Sequence, residues 1–495
     1  MKQIRAIDAL LAAAVTAIVF ARGFGLYPWY DDWLYMSAAG DAIARQARGE
    51  FIWSVFAPHW SPLAAAFETL NLHLVGRESD AFVRLTIALL VFVALIVFAA
   101  YARHHGHSVA IAAGLGTLGF HHINAAAFYS LDCYDQIAAD LLTWTSLTLL
   151  VRAASARSDR ARRQCAFAIA LYVPALLFKE QALTMVAGTA VVAMWASVER
   201  RPAAITQRLW IIWAVIVGIA VLFALARWRA GLSFRPDGPY RLCLACVPGN
   251  IGLLAGSLIL PIRTLDVFLA LDRWPAALRI ALPAALATIG LLWLLVAGIV
   301  RNPAARSGRL IHLYLGLGLL AASFFTVALL GSSVELHAHS ALFWFAPVVS
   351  TAVDGWRARL SHARPLVRYA TAAVAGCYVA ALSVGLQLNL VEMRASGERS
   401  RDWRRRIHAA AASAPRGSTI RVRGLLAVKS PTDYGLYRVT RPGYLLAGTT
   451  GVAWAPPGGM IFCGDDNPCE RAIDFVLDVD ERGTIDFGPA STQSK

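Results

Sequence analysis

Apolar runs of about twenty residues recur from one end of the chain to the other, broken by short polar segments. As a helix, a run of that length crosses a hydrocarbon core roughly 30 Å thick. The pattern predicts spans near residues 6–26, 82–102, 108–127, 135–151, 165–178, 181–197, 209–227, 277–300, 310–331, 340–354 and 367–389. One more apolar stretch, 250–271, is interrupted by Pro261, Arg263 and Asp266. It reads as an interfacial or re-entrant segment, a form tolerated where protein buries it. After about residue 390 the rhythm changes. A polar, Arg-rich helix from Arg399 to Ala412 leads into alternating runs such as Thr419-Ile420-Arg421-Val422-Arg423, which predict strands. Ile473–Val479 and Thr484–Phe487 flank Asp480-Glu481-Arg482-Gly483, a hairpin turn. The expected architecture is an all-α polytopic bundle of about eleven transmembrane helices over 1–392, with a first outer loop at 27–80. A small α+β domain follows over 393–495.

Composition agrees. The 495 residues are 58% hydrophobic and only 16% charged, with mean hydropathy +0.54, whereas soluble domains run near 45–50% apolar and about 25% charged. A net charge of +15 would suggest nucleic acid in a soluble protein. Here the cations sort by loop instead. Arg152, Arg157, Arg160, Arg162 and Arg163 share one loop, and Arg200, Arg201 and Arg208 another. Arg301, Arg306 and Arg309 fall in a third, and Arg357, Arg359, Arg364 and Arg368 in a fourth. Eleven crossings put all four on the side of Lys2 and Arg5, which the positive-inside rule assigns to the cytoplasm. Counting 250–271 as a span would turn the last two loops outward. No small-residue cleavage site follows the first run, so it is read as an uncleaved span. The expectation is a multi-pass protein of the cytoplasmic membrane, N-terminus inside and C-terminal domain outside, with no nucleic-acid partner.

Cysteine placement fits that topology. Cys133, Cys243, Cys246, Cys463 and Cys469 all fall on the outer side. Cys463 and Cys469 bracket a short turn that a disulfide would close in an oxidising compartment. Cys243 and Cys246 form either a second such bridge or half of a zinc site that lacks its second pair.

The candidate chemistry gathers on the outer rim, where ionisable side chains at helix ends are functional candidates by default. Asp31 and Asp32 stand among Trp29, Tyr30 and Trp33, rings suited to headgroup depth. Their alternative role is to cap the helix that follows. His59, Asp132, Asp135, Lys179, Glu180, Glu335, His337 and His339 share that face. Asp135 also heads a helix, where a carboxylate favours the N-terminus, and Lys179 with Glu180 could be a plain ion pair. On an extended segment Glu335, His337 and His339 would share one side, and the histidines form a candidate divalent-metal site. Carboxylates beside cations suit a transfer reaction with an anionic leaving group: one carboxylate takes a proton from an acceptor hydroxyl, and a cation stabilises the departing phosphate.

In order and spacing these elements resemble the polyprenol-phosphate-sugar-dependent glycosyltransferases of the GT-C fold, among them the protein O-mannosyltransferases and the lipid A aminoarabinose transferase. The resemblance covers roughly residues 1–390 and rests on six matches. These are Asp31-Asp32, Pro62-Leu63, Asn71-Leu72-His73-Leu74, Asp135 heading the fourth span, Phe178-Lys179-Glu180, and Leu258-Ile259-Leu260-Pro261. Two departures stand out: Cys133 replaces an arginine often found two residues before that aspartate, and Glu335-Leu336-His337 replaces a Glu-Arg-Tyr. The resemblance implies inverting sugar transfer from a polyprenyl-phosphate donor to a lipid, glycan or protein acceptor. Asp31 would be the base, with Asp32 beside it for acceptor or metal contact. Lys179, Glu180, Asp135 and Glu335 would lie around the donor phosphate, with a metal on His337 and His339 as compensation for the lost arginines. The competing reading is an inactive relative, or a transporter or scaffold on the same frame. A transporter would place charges and broken helices near the midplane, whereas these residues sit at the rim.

Overall fold

An arginine and an aspartate fix how the first helix meets its neighbour. Arg103, in the last turn of α3 (Ala81–His104), donates from Nε and Nη2 to the two carboxylate oxygens of Asp8 in the first turn of α1 (Ala6–Phe20), both at 2.6 Å. Both side chains are buried, and a charge taken from water persists only when paired and hydrogen-bonded in this way. The computed structural model describes residues 5–21, 23–28, 32, 36, 61–75, 81–104, 111–156, 158–229, 242–260, 276–301, 311–330, 335–361, 365–425, 448–454, 456–464 and 467–490.

Each predicted span has a helix. After α1 come α2 (Pro62–Val75), which precedes α3, then α4 (Ile111–Phe120), α5 (Asn124–Tyr129), α6 (Tyr134–Ala153), α7 (Ser158–Phe178), α8 (Thr184–Val198) and α9 (Ala203–Arg229). Then follow α10 (Val247–Ile259), α11 (Ala276–Arg301), α12 (Ile311–Ala328), α13 (His339–Leu360) and α14 (Pro365–Ala410). Six stretches of the described chain are long and apolar enough to cross a membrane on their own. On α3, Leu85, Leu89 and Val93 repeat at helical spacing and stay exposed, an apolar stripe that suits lipid. This is a multi-pass membrane protein. Its core centres on α5, α6 and α13, where Tyr129, Tyr134, Trp144, Phe343 and Trp344 are among the largest fully buried side chains.

Of the segment read as interfacial, 250–271, the first part belongs to α10 and residues 261–271 lie outside the described residues; both ends of α10 are tied to one rim. At its start, Asn250 Nδ2 donates to the Ala328 and Leu330 carbonyls, and Cys243 N to Leu329 O, at the C-terminal end of α12. At its finish, His121 and His122 donate through Nε2 to the Leu258 and Leu260 carbonyls from the C-terminal end of α4. The ends of α4 and α12 both adjoin the N-termini of α6 and α13, so Val247–Ile259 lies along that rim and does not traverse the bundle.

Beyond the bundle, α14 runs without a break across residue 392 and delivers Ile407, with Ala411 of the 3-10 turn that follows, into a second core against a four-stranded sheet. Its strands are β1 (Thr419–Arg423), β2 (Ile461–Cys463), β3 (Phe475–Val479) and β4 (Ile485–Pro489), in the order β2-β1-β3-β4. β1 pairs in parallel with β2 and β3, and β3–β4 is the expected antiparallel hairpin, with Val479 opposite Ile485. Asp480 closes its turn by accepting from the Arg482 and Thr484 backbone N–H groups, and Gly483 supplies the left-handed φ of +82°. Two cysteine pairs are disulfides, with Cα separations of 5.3 Å for Cys243–Cys246 and 5.0 Å for Cys463–Cys469. The zinc half-site reading of Cys243 and Cys246 is thereby excluded.

Candidate active site

The turn between α5 and α6 gathers three of the predicted residues. Asp32 is 1% exposed and accepts two hydrogen bonds at Oδ1, from the Leu131 backbone N–H at 2.7 Å and from Ser130 Oγ at 3.1 Å. Leu131 opens a 3-10 turn (Leu131–Cys133) that runs directly into α6. In the first turn of α6, Asp135 is fully buried and its Oδ1 lies 3.0 Å from Lys179 Nζ. The same oxygen accepts from Gln136 N, so Asp135 serves both the helix N-terminus and an ion pair.

Lys179 and Glu180 are neighbours that pair with different partners. Lys179 turns to Asp135, whereas Glu180 lies 2.8 Å from Arg227 in the last turn of α9. The extended backbone of Lys179 (φ −158°, ψ 139°), between α7 and the 3-10 turn Glu180–Leu183, lets the two side chains diverge.

Beneath this pair lies a polar cluster that links four segments. Asp140, one turn deeper on α6, accepts from Ser340 Oγ at 2.5 Å and from Gln136 Nε2 at 2.9 Å, and faces His339 Nδ1 at 2.7 Å. Gln181 donates to Ser340 Oγ and to the His337 carbonyl, and Trp144 Nε1 donates to the Ser340 carbonyl. A buried carboxylate with several donors is stabilised where a lone one would not be. The cluster ties the 180–183 turn to α6 and α13, and so fixes the backbone that carries Lys179 and Asp135.

The Glu335–His339 motif differs from its sequence reading. Residues Glu335–Ala338 form a 3-10 turn and His339 starts α13, so the chain is not extended there and the shared side expected of alternate residues is lost. His339 is 2% exposed and directed at Asp140; His337 sits half-buried in the turn. Among the described residues no group of three or more His, Cys, Asp or Glu side chains is arranged to hold a metal. Asp31 and His59, and the side chains of Asp132 and Glu335, lie outside the described residues.

The sequence reading passed over Arg84, Asp140, Gln136, Gln181, Ser340 and Arg227. Arg84 is buried near the rim end of α3, where it donates to the Leu26 and Tyr129 carbonyls. An arginine inside an apolar run was the available signal. The glutamines and Ser340 carried none, because neutral polar residues in helices are common.

No family model and no curated protein matches the sequence. Among solved structures the chain is similar to the crystal structure of ArnT from Cupriavidus metallidurans bound to undecaprenyl phosphate. That likeness has 14% sequence identity and a TM-score of 0.52, and it covers 95% of this chain and 92% of that one. It extends through the C-terminal domain, beyond the first 390 residues on which the sequence resemblance rested. Helix bundle and terminal sheet together give this chain a GT-C-like membrane fold.

Proposed function

We propose that the protein is a GT-C glycosyltransferase that moves a sugar from a polyprenyl-phosphate-linked donor to a hydroxyl of a lipid, glycan or protein acceptor at the outer face of the cytoplasmic membrane. The supporting observation is the convergence of Asp32 and the Asp135–Lys179 pair on one short turn at the bundle rim. A donor with its tail in lipid presents its phosphate at that depth. In the proposed step Asp31 takes the acceptor proton, and the acceptor oxygen bonds to the anomeric carbon from the face opposite the phosphate. The bond from that carbon to the phosphate oxygen breaks, and its electron pair leaves with the lipid phosphate. Lys179, oriented by Asp135, offsets the added negative charge. Asp32 is assigned to acceptor contact, and Glu180 and Glu335 are assigned to the donor phosphate.

The test is transfer of radiolabelled sugar from a polyprenyl-phosphate donor at matched protein levels. Asp31→Asn keeps the shape and removes the proton acceptor, so turnover should fall by about 10²–10⁴-fold. Wild-type turnover by Asp31→Asn, with loss in Asp32→Asn, would move the base to Asp32. Full turnover in both variants would rule out carboxylate base catalysis at this turn.

A further inference from the structure

One face of α14 is built around a single residue of the first outer loop. Gly397, Arg401 and Arg404 stand at i, i+4 and i+7, and so share a helix face. All three meet Tyr27. The Arg401 guanidinium lies 4.6 Å from the centre of the Tyr27 ring, within cation–π range. Arg404 Nη1 donates to the Tyr27 hydroxyl at 3.1 Å, and its Nη2 donates to the Trp454 carbonyl of the C-terminal domain. A Cβ on Gly397 would lie 2.5 Å from the Tyr27 carbonyl oxygen, so this approach needs glycine. The preceding residue is held from the other side, where Arg84 donates to the Leu26 carbonyl at 2.9 Å. Five residues after Tyr27, Asp32 is bonded to Ser130 and Leu131. Five residues span at most about 17 Å, so the chain length limits how far Tyr27 can shift relative to Asp32.

We propose that the Gly397–Arg401–Arg404 face is a positioning element for sugar transfer, by which the C-terminal domain fixes Tyr27 and through it the Asp31–Asp32 pair. This rests on the transferase reading above. None of the three residues touches the reacting atoms. They act through the loop, so their loss should lower turnover and leave donor binding nearly intact.

The test measures kcat and donor KM in the full-length protein for Tyr27→Phe, Arg404→Met, the double variant and Gly397→Ala. Misplacing a reacting group by about 1 Å can cost up to 100-fold. The expectation is a fall of about tenfold or more in kcat for Gly397→Ala and Arg404→Met, and a smaller fall for Tyr27→Phe. Donor KM should stay within about twofold, and the double variant should be no worse than Arg404→Met, because both changes remove one contact. Additive losses, an unchanged kcat, or a rise in KM alone would overturn the proposal. A donor-free arm separates its failure from that of the transferase reading. Ser130, 4% exposed and bonded to Asp32, is replaced by cysteine after Cys133, Cys165 and Cys377 are changed to alanine. Labelling by a membrane-impermeant maleimide should quicken in Gly397→Ala and Arg404→Met. Unchanged labelling overturns the positioning role even if the wild type transfers sugar. Faster labelling with a wild type that transfers none upholds the loop contact and removes the transferase reading.

Discussion

Replacing Lys179 by methionine sets two consequences of one ion pair against each other. Methionine keeps the unbranched length and removes the charge. Lys179 Nζ and Asp135 Oδ1 are 3.0 Å apart, with side-chain exposures of 14% and 0%. At an effective dielectric of about 20, two unit charges at that distance attract by roughly 5 kcal/mol before desolvation is subtracted. Losing one partner of a buried pair typically destabilises by about 3–5 kcal/mol, because the remaining charge stays buried. The partial exposure of Lys179 places this case near the lower end, about 3 kcal/mol. Replacing both partners, Lys179→Met with Asp135→Leu, should restore stability to within about 1 kcal/mol, since an apolar pair carries no desolvation penalty. Transfer should not return, because the departing phosphate still lacks its cation. Equilibrium unfolding in mixed micelles measures the first quantity, and donor turnover at equal folded protein the second. A Lys179→Met protein as stable as wild type would contradict the buried pair. A double variant with wild-type turnover would remove Lys179 from the chemistry.

The remaining predictions concern the C-terminal domain. A cysteine placed at residue 430 should be labelled from outside the cytoplasm; labelling from the cytoplasm alone would invert the topology. Converting both Cys463 and Cys469 to alanine should cost about 2 kcal/mol, the chain-entropy value for so short a loop, and unchanged unfolding would refute a stabilising bridge. Backbone hydrogen bonding, first from Thr484, holds the Asp480 carboxyl below its ordinary value. A depressed carboxylate contributes stability that is fully present above about pH 3.9 and is lost as pH falls through its lower folded value. Hydrogen exchange at Thr484 should therefore be slower in wild type than in Asp480→Asn at neutral pH, with the gap closing in acid. A gap constant from pH 7 to pH 2 would refute the link.

Long apolar helices were legible because a lipid solvent demands a run of fixed length, and length can be read from sequence. That α10 stays at one rim agrees with the sequence reading of 250–271 as a segment that does not cross, a reading drawn from the interrupted apolar run and the arginine-rich loops. Pairing was not. Asp140 and His339 are 199 positions apart, and nothing local to either names the other. Glu335, His337 and His339 misled because an every-second-residue spacing means a shared side only on extended chain, and tertiary contacts with Gln181 and Asp140 favour a 3-10 turn there. The end of the apolar pattern near residue 390 marked a change of surroundings, while the backbone of α14 continued unchanged. Hydropathy reports which solvent a helix meets and is silent on where the helix stops.

That continuity makes α14 a ruler. Its 46 residues extend roughly 69 Å at 1.5 Å per residue. A single residue inserted near 392 would turn everything beyond it by about 100° and carry it about 1.5 Å farther out. The Gly397, Arg401 and Arg404 side of the rod would swing away from Tyr27, and the whole terminal sheet with it. Seven inserted residues would nearly restore the facing but lift the sheet by about 10 Å. Length changes that an ordinary interdomain linker absorbs are thus barred from this stretch. Chimeras that exchange the terminal domain should be joined after the helix, in the turn at Pro415–Gly417, where the rod has ended and β1 has not begun.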